Sequence, residues 1–367
     1  MAFKKNKTKK GQIQVTFNWF YVLIAGGVIL LFFFGIVMKQ QKVSEENLAY
    51  DVVRIMESIF TGAGVSEKTK NFIDTSGLVD YTLYFNCDES VSEFGIRDKG
   101  SPAQNVVDPI FSPREIKTTQ LILWSLPYKL PFKVIDLMFV TSWNTKYFVL
   151  GNNAFAEEFL NSTTGLNVIP IPDLNSVDPQ KNFQIRIIDL TGSVQEGLPV
   201  PDKTTLMDDD KVTAISFIGT HSAQYFQKEG NSWRKAGDKI AIISLGGERD
   251  AAKYAAIFSQ DSNIYQCNMM KVFKRFNFLL EIYEQKLKEI ELYYVESPEK
   301  TLTKDCLGYI QAGQYEPNLQ QALTLLKGNA KACSILFDHC ADLIEASAKL
   351  KEANTNLGSK GDCLTLY

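Results

Sequence analysis

The chain has 367 residues, of which 45% are hydrophobic and 22% charged, and these ordinary globular values exclude a disordered or collagen-like protein. At about 150 residues per domain, this length predicts two to three domains. The net charge is −3, whereas a nucleic-acid-binding protein usually carries an excess of basic residues, so we expect no nucleic-acid partner. The chain has only two histidines, which argues against a multi-histidine metal centre, and we expect neither a metal nor a cofactor.

The first feature along the chain is an uncharged apolar run at residues 19–38. Its twenty residues would form a helix about 30 Å long, which is the thickness of the hydrocarbon core of a bilayer. The run is longer than the apolar region of a signal peptide, and Lys39 and Lys42 follow it instead of a small-residue cleavage site. It predicts an uncleaved transmembrane helix over residues 17–38, with the lipid bilayer as its partner.

The charges that flank this run set its predicted orientation. Five lysines and no acidic residue stand among the first ten residues, whereas the other flank has two lysines followed by Glu45 and Glu46. The positive-inside rule therefore places a basic tail, residues 1–16, in the cytoplasm. The rest of this single-pass membrane protein is expected to be extracytoplasmic. Without those five lysines, 34 basic residues stand against 42 acidic ones, so the exported part carries a charge of about −8.

An amphipathic stalk helix is predicted over residues 39–62. Its apolar residues recur at helical spacing, which places Leu48, Val52, Ile55, Met56, Ile59 and Phe60 near one face. This face could close the core of the domain that follows, or it could bind a protein partner or a second copy of the chain.

Residues 63–265 predict an extracytoplasmic α/β domain. Segments 81–85, 120–126 and 133–142 are rich in β-branched and aromatic residues and predict strands, whereas the proline-containing segment 98–116 predicts a loop. A strand, a glycine and a helix are then predicted three times, with strands at 146–151, 211–219 and 239–247. Segment 184–190 predicts one more strand. Short apolar strands that lead into helices are typical of parallel sheets, so the fold class is α/β with a mixed sheet.

Residues 266–367 predict a helical, cysteine-bearing tail, with helices over 267–294, 319–328 and 331–353. Six cysteines follow the apolar run, an even number that an oxidising compartment would allow to pair: Cys87, Cys267, Cys306, Cys333, Cys340 and Cys363. Buried reduced thiols are the alternative. Cys333 and Cys340 lie about 10 Å apart along a regular helix, too far for a disulfide between them. If the first and last helices run antiparallel, we expect Cys267 to pair with Cys363, and Cys306 with Cys333 or Cys340.

Few residues in the sequence suggest chemistry. His221 follows a predicted strand that ends at Gly219, a position where α/β enzymes carry functional groups, and Asp210 and Asp250 are the acids that could assist it. A surface histidine and solvated turn acids are the alternative explanation, and it accounts for these residues better than catalysis does. No nucleotide-binding, hydrolase or zinc-protease motif is present. Asn161 begins the triplet Asn161-Ser162-Thr163, which makes it a candidate for glycosylation.

The N-terminal residues carry two resemblances. Lys9-Lys10-Gly11-Gln12 before the apolar run resembles the processing site of archaeal class III (prepilin-type) signal sequences, in which cleavage precedes the glutamine. Where that family usually has Ser and then a Glu that supports filament packing, this chain has Gln14 and Thr16. The wider pattern of Lys10-Gly11-Gln12, Asn18-Trp19, Gly26 and Lys39-Gln40 is similar to uncharacterised single-span membrane proteins of small-genome archaea. This second resemblance implies a membrane location and no particular activity.

Three functions agree with these features. The first is a non-catalytic, membrane-anchored module that binds a partner or takes part in envelope assembly. The second is an extracytoplasmic hydrolase-like enzyme with a site at the strand ends near His221. The third is a pilin-like subunit that is processed after Gly11.

Overall fold

The structure is a computed structural model. It describes residues 10–65, 70–180, 182–247, 249–297, 300–311 and 315–367, and it does not extend to the side chains of residues 10–23, 41–46, 63–65 and 300–303 or of a few residues between them. The first nine residues of the predicted basic tail and the side chains of Trp19 and Leu48 therefore lie outside the described part.

The first helix, α1 (Lys10–Val65), joins the predicted membrane segment and the predicted stalk in one continuous element of 56 residues. Its last third packs on the folded body through five buried residues, Ala49, Val52, Val53, Met56 and Phe60. The stalk therefore closes the core of the domain that follows it. Nearer the N-terminus, nine apolar side chains between Ile24 and Met38 are 54% to 72% exposed. In the described part of the chain, no helix contains a stretch that is both long and apolar enough to cross a bilayer.

Helix α1 packs on two small sheets. One has the strand order β1 (Lys70–Asp74), β7 (Gln120–Lys129), β8 (Lys133–Ser142) and β5 (Ile110–Phe111). The other has the order β4 (Lys99–Asn105), β3 (Val91–Ile96), β2 (Leu83–Asp88) and β6 (Glu115–Ile116). Neighbouring strands are antiparallel except for β5 and β8. Phe60 of α1 contacts the rings of Phe85 and Phe94, so these sheets and the helix share one core.

Three of the predicted strands are confirmed, because β2, β7 and β8 overlap the segments 81–85, 120–126 and 133–142. The predicted loop at 98–116 is wrong, since it contains β4, β5 and β6. Strand β4 lies at the edge of its sheet and is mostly exposed, so it lacks apolar alternation. Pro102 lies within it because an edge strand tolerates a residue that has no backbone N–H.

The third sheet is mixed. Its strand order is β10 (Asn167–Ile171), β9 (Thr145–Leu150), β11 (Gln184–Asp189), β12 (Val212–Phe217), β13 (Ser222–Glu229) and β14 (Ser232–Lys235), and β15 (Ile240–Ala241) pairs with β13. The first four strands are parallel, and β13 is antiparallel to its neighbours. Helices α2 (Ala154–Ser162) and α3 (Ala251–Phe258) complete this region. The mixed α/β fold class is confirmed.

Of the three strand–glycine–helix units, the structure contains the first in full, as β9 followed by α2. The helix predicted after Gly219 is wrong, because Gly219, at φ +66°, lies in a turn between β12 and the antiparallel strand β13. Both faces of β13 are largely buried, so its apolar residues lack the alternation with polar residues that identifies a half-buried strand. In the third unit the strand shortens to β15, and an irregular loop leads to α3.

The C-terminal region is helical as predicted. It contains α4 (Ser262–Glu296), α5 (Lys300–Ile310), α6 (Leu319–Cys333) and α7 (Asp342–Gly358). The single helix predicted over 331–353 is wrong, because the chain turns between Cys333 and Asp342 through a short 3₁₀ segment. Trp124 of β7, Phe276 of α4 and Leu350 of α7 lie in one apolar cluster, so the helices share a core with the sheets.

Three disulfides link the six cysteines: Cys87–Cys267, Cys306–Cys363 and Cys333–Cys340. Disulfide bonding is confirmed, but each predicted pairing is wrong. The turn after α6 brings the Cα atoms of Cys333 and Cys340 to 4.6 Å, a separation that a regular helix would not allow. Cys267 lies near the start of α4, where strand β2 passes, and it therefore bonds to Cys87.

Removing a disulfide should destabilise the protein more, the longer the loop that the disulfide closes. Loop-closure entropy gives about 2 kcal/mol for the Cys333–Cys340 pair, whose sequence separation is 7, and about 4 kcal/mol for the Cys306–Cys363 pair, whose separation is 57. Urea unfolding of the two double alanine variants measures this difference. A larger loss from the short loop would contradict the prediction.

Candidate functional site

The three residues proposed for catalysis lie at different places in the fold. His221 is exposed in the turn between β12 and β13, where its backbone carbonyl accepts a hydrogen bond from the Ile242 N–H at 2.8 Å. Asp210 lies just before the opposite end of β12, which is about 20 Å long. Asp250 caps the N-terminus of α3. The structure therefore does not bring His221 and Asp210 together.

Asp250 lines a cavity of about 510 Å³ beside the loop that precedes α3, together with Tyr128, Ser244 and Arg249, and His221 is not part of its lining. The Asp250 carboxylate accepts a hydrogen bond from the Lys253 N–H, and its Oδ2 lies 3.9 Å from Lys253 Nζ. Burial raises the pKa of Asp250 above its usual range. The Asp250 side chain accepts a hydrogen bond from the first turn of α3 and lies near Lys253, so its role in the structure is that of a helix cap.

A second cavity, of about 210 Å³, lies where the parallel strands begin. Its walls come from the starts of β9, β11 and β12, from residues 113–115 before and within β6, and from the end of α3. We call it the arginine-lined cavity, because three of its lining residues are Arg97, Arg114 and Arg186. Asp210, Lys211 and Glu115 also line it, so the cavity is strongly polar and charged.

Arg186 is the most deeply buried of these cations, with 5% of its surface exposed. Its Nε donates to the carbonyl of Ile257 at 3.2 Å and its Nη1 to that of Gln260 at 3.2 Å. Its Nη2 donates to the carbonyls of Ala256 and Ser259. The guanidinium thus satisfies the end of α3, where the helix dipole is negative. Burial lowers the pKa of Arg186.

The other three cations of the cavity each pair with an acid, and Asp210, which also lines the cavity, acts electrostatically on Lys211. Arg114 Nε lies 2.5 Å from Asp261 Oδ2, and Lys211 Nζ lies 2.5 Å from Asp208 Oδ2. Arg97 pairs with Glu115. Because Asp261 is also close enough to act electrostatically on Arg186, one carboxylate serves two guanidinium groups.

A nucleophile and a base do meet elsewhere, in the interior. Lys271 Nζ of α4 lies 2.6 Å from Ser92 Oγ and also donates to the carbonyls of Asn105 at 2.7 Å and Asp108 at 3.1 Å. Ser92 Oγ in turn donates to Asn268 Oδ1 at 3.0 Å. Burial lowers the pKa of Lys271 to about 7.

This serine–lysine pair has the atoms of a catalytic dyad but no access for a substrate. Ser92 and Lys271 are each 3% exposed, and the cleft beside Ser92 has no room for a water molecule. The network therefore fastens α4 to β3 and to the segment that follows β4. Sequence reasoning missed Lys271 and Arg186. A lone cation inside an apolar strand is the signal that could have found Arg186, whereas Lys271 stands close to Lys274 and Arg275 in the same helix and has no such signal.

Asn161, the glycosylation candidate, is exposed in the last turn of α2. The hydroxyl of Thr163 in the same triplet is buried and donates to the carbonyl of Phe159 at 2.6 Å. Within the residues that the structure describes, no group of histidine, cysteine and acidic side chains could hold a metal ion.

The fold and the cavity define a disulfide-linked, mixed α/β protein that carries a long N-terminal helix. No protein family, no curated protein and no solved structure matches this chain.

The pKa of Lys271 predicts a pH dependence of stability. Between about pH 7 and 10.5 the unfolded chain binds a proton that the folded chain lacks, so stability should rise with pH across this window, by at most about 1.4 kcal/mol per unit. Lys271→Met removes this slope, and urea unfolding at pH 7.5 and 9.5 compares the two proteins. Equal slopes would show that Lys271 stays protonated in the fold.

Asp250→Asn should leave α3 intact, because asparagine caps a helix as well as aspartate does. The raised pKa of Asp250 means that its ionisation opposes folding, so wild-type stability falls as pH rises through that pKa. The variant should be as stable as wild type near pH 3.5 and up to about 1 kcal/mol more stable at pH 7. A variant that loses stability at pH 7 would contradict this.

Proposed function

We propose that the chain is a membrane-anchored, extracytoplasmic module that binds a partner or takes part in envelope assembly without catalysis. The observation that carries the proposal is the division of α1. Residues 49–60 of this one helix lie in the core of the body, whereas apolar side chains from Ile24 to Met38 are exposed. Water does not favour such a surface, and a bilayer would cover it.

Charge and cysteines support the same arrangement. The lysines before the apolar run favour a cytoplasmic N-terminus, and the body beyond it is acidic. All six cysteines belong to this body and are paired, which an oxidising compartment favours. The buried state of the Ser92–Lys271 pair and the separation of His221 from Asp210 favour a binding role over the hydrolase alternative.

A pilin-like subunit is the second candidate. Helix α1 begins at Lys10 and continues without a break into the body, so cleavage after Gly11 would leave almost the whole helix. N-terminal sequencing of purified protein decides this point. A first residue of Gln12 supports processing, and a first residue of Met1 or Ala2 excludes it.

Charges placed on the exposed apolar face should release the anchor. Leu30→Arg with Phe33→Arg puts two charges where each costs about 3 kcal/mol in a bilayer. Wild type should stay in the membrane pellet after alkaline carbonate extraction, and the double variant should leave it.

The matched control is Tyr50→Arg with Ile55→Arg, which changes two exposed apolar residues of the same helix beyond the apolar run. This control should remain in the pellet. A wild-type protein found in the soluble fraction would refute the anchor. If trapping thiols with N-ethylmaleimide in living cells labels the cysteines, the extracytoplasmic side would be refuted as well.

A further inference from the structure

We propose that the arginine-lined cavity binds a small oxyanion, such as a carboxylate, phosphate or sulfate group, through Arg186 and Arg114. This inference deepens the proposed binding function by naming the chemical class of one ligand. It rests on the positions of charges within the folded body.

Among the residues that the structure describes, Arg114 and Arg186 are close to only one shared acid. Both line the cavity, and Asp261 is the acid that pairs with Arg114 and acts on Arg186. Two cations therefore share one anion. A buried charge without full compensation is costly, and an anion placed beside it recovers part of that cost.

Arg186 also has hydrogen-bonding capacity that the described residues do not use. A guanidinium has five N–H donors, and Arg186 uses four, all on carbonyls at the end of α3. One N–H of Nη1 remains, on a side chain that is 95% buried and lines the cavity. Arginine donors suit the oxygen atoms of carboxylate and phosphate groups.

The size of the cavity suits a small ligand. A volume of about 210 Å³ equals roughly seven water molecules at about 30 Å³ each, which is enough room for a small anion. Of the remaining lining charges, Arg97 pairs with Glu115 and Lys211 pairs with Asp208, whereas the carboxylate of Asp210 acts on Lys211 only electrostatically. An anion therefore gains most beside Arg186, the most deeply buried cation of the cavity and the one farthest from full compensation by acids.

The test is isothermal titration of the full chain in detergent micelles with acetate, sulfate and inorganic phosphate, against chloride at equal ionic strength. At least one oxyanion should bind saturably at one site per chain. Asp261→Asn should tighten this binding about tenfold, because it removes the shared negative charge while asparagine still caps α4. A gain of affinity cannot result from misfolding, whereas replacing Arg186 could unfold the end of α3.

Two further variants complete the test. Arg114→Gln should weaken binding about tenfold, since Asp261 is then left to Arg186 alone. Glu196→Gln is the matched control, because it also removes one negative charge, from an exposed pair with Lys235 outside the cavity, and it should change nothing. The inference is refuted if no oxyanion binds saturably, if Glu196→Gln tightens binding as much as Asp261→Asn does, or if Arg114→Gln has no effect. Failure here with a confirmed membrane anchor would remove the ligand class and leave the proposed function in place.

Discussion

The attachment of α4 to the small sheet of β4, β3, β2 and β6 is the constraint on which the rest of the structure depends. Within five residues, this helix bonds covalently to β2 through Cys267, accepts a hydrogen bond from Ser92 through Asn268, and sends Lys271 to backbone carbonyls around β4. Further along, the same helix packs against α5 and α6. A single 35-residue element therefore joins the small sheets to the C-terminal helices, and its fixed start places Asp261 beside the arginine-lined cavity.

Local patterns in the sequence were sufficient for much of the fold. Strands β7 and β8 and helix α4 follow from composition and periodicity, because each packs its apolar side chains into a large core. The patterns gave wrong predictions for two strands, one of which is mostly exposed and one of which is buried on both faces. The edge strand β4 has too few apolar residues to look like a strand, and the apolar residues of β13, which are Ala223, Tyr225 and Phe226, do not alternate regularly with polar ones.

The cavity could not be predicted in the same way, because its charged residues come from five distant segments. Arg97 and Arg114 belong to the small sheet region, Arg186 to the parallel strands and Asp261 to the start of α4. The spacing of these residues in the sequence does not indicate that the segments lie close together in the fold. The predicted disulfide pairings were wrong for a related reason. The pairing of Cys333 with Cys340 depends on a turn, and helical periodicity continued the helix through that turn.

The continuity of α1 also determines where the chain can be divided. Val52, Met56 and Phe60 form one wall of the core that encloses Phe85 and Phe94, so the end of this helix is an internal structural element. A fragment that begins after residue 62 would expose those rings to solvent. A self-standing fragment of the folded body must therefore begin before Ala49 and keep the last turns of the helix as part of its interior.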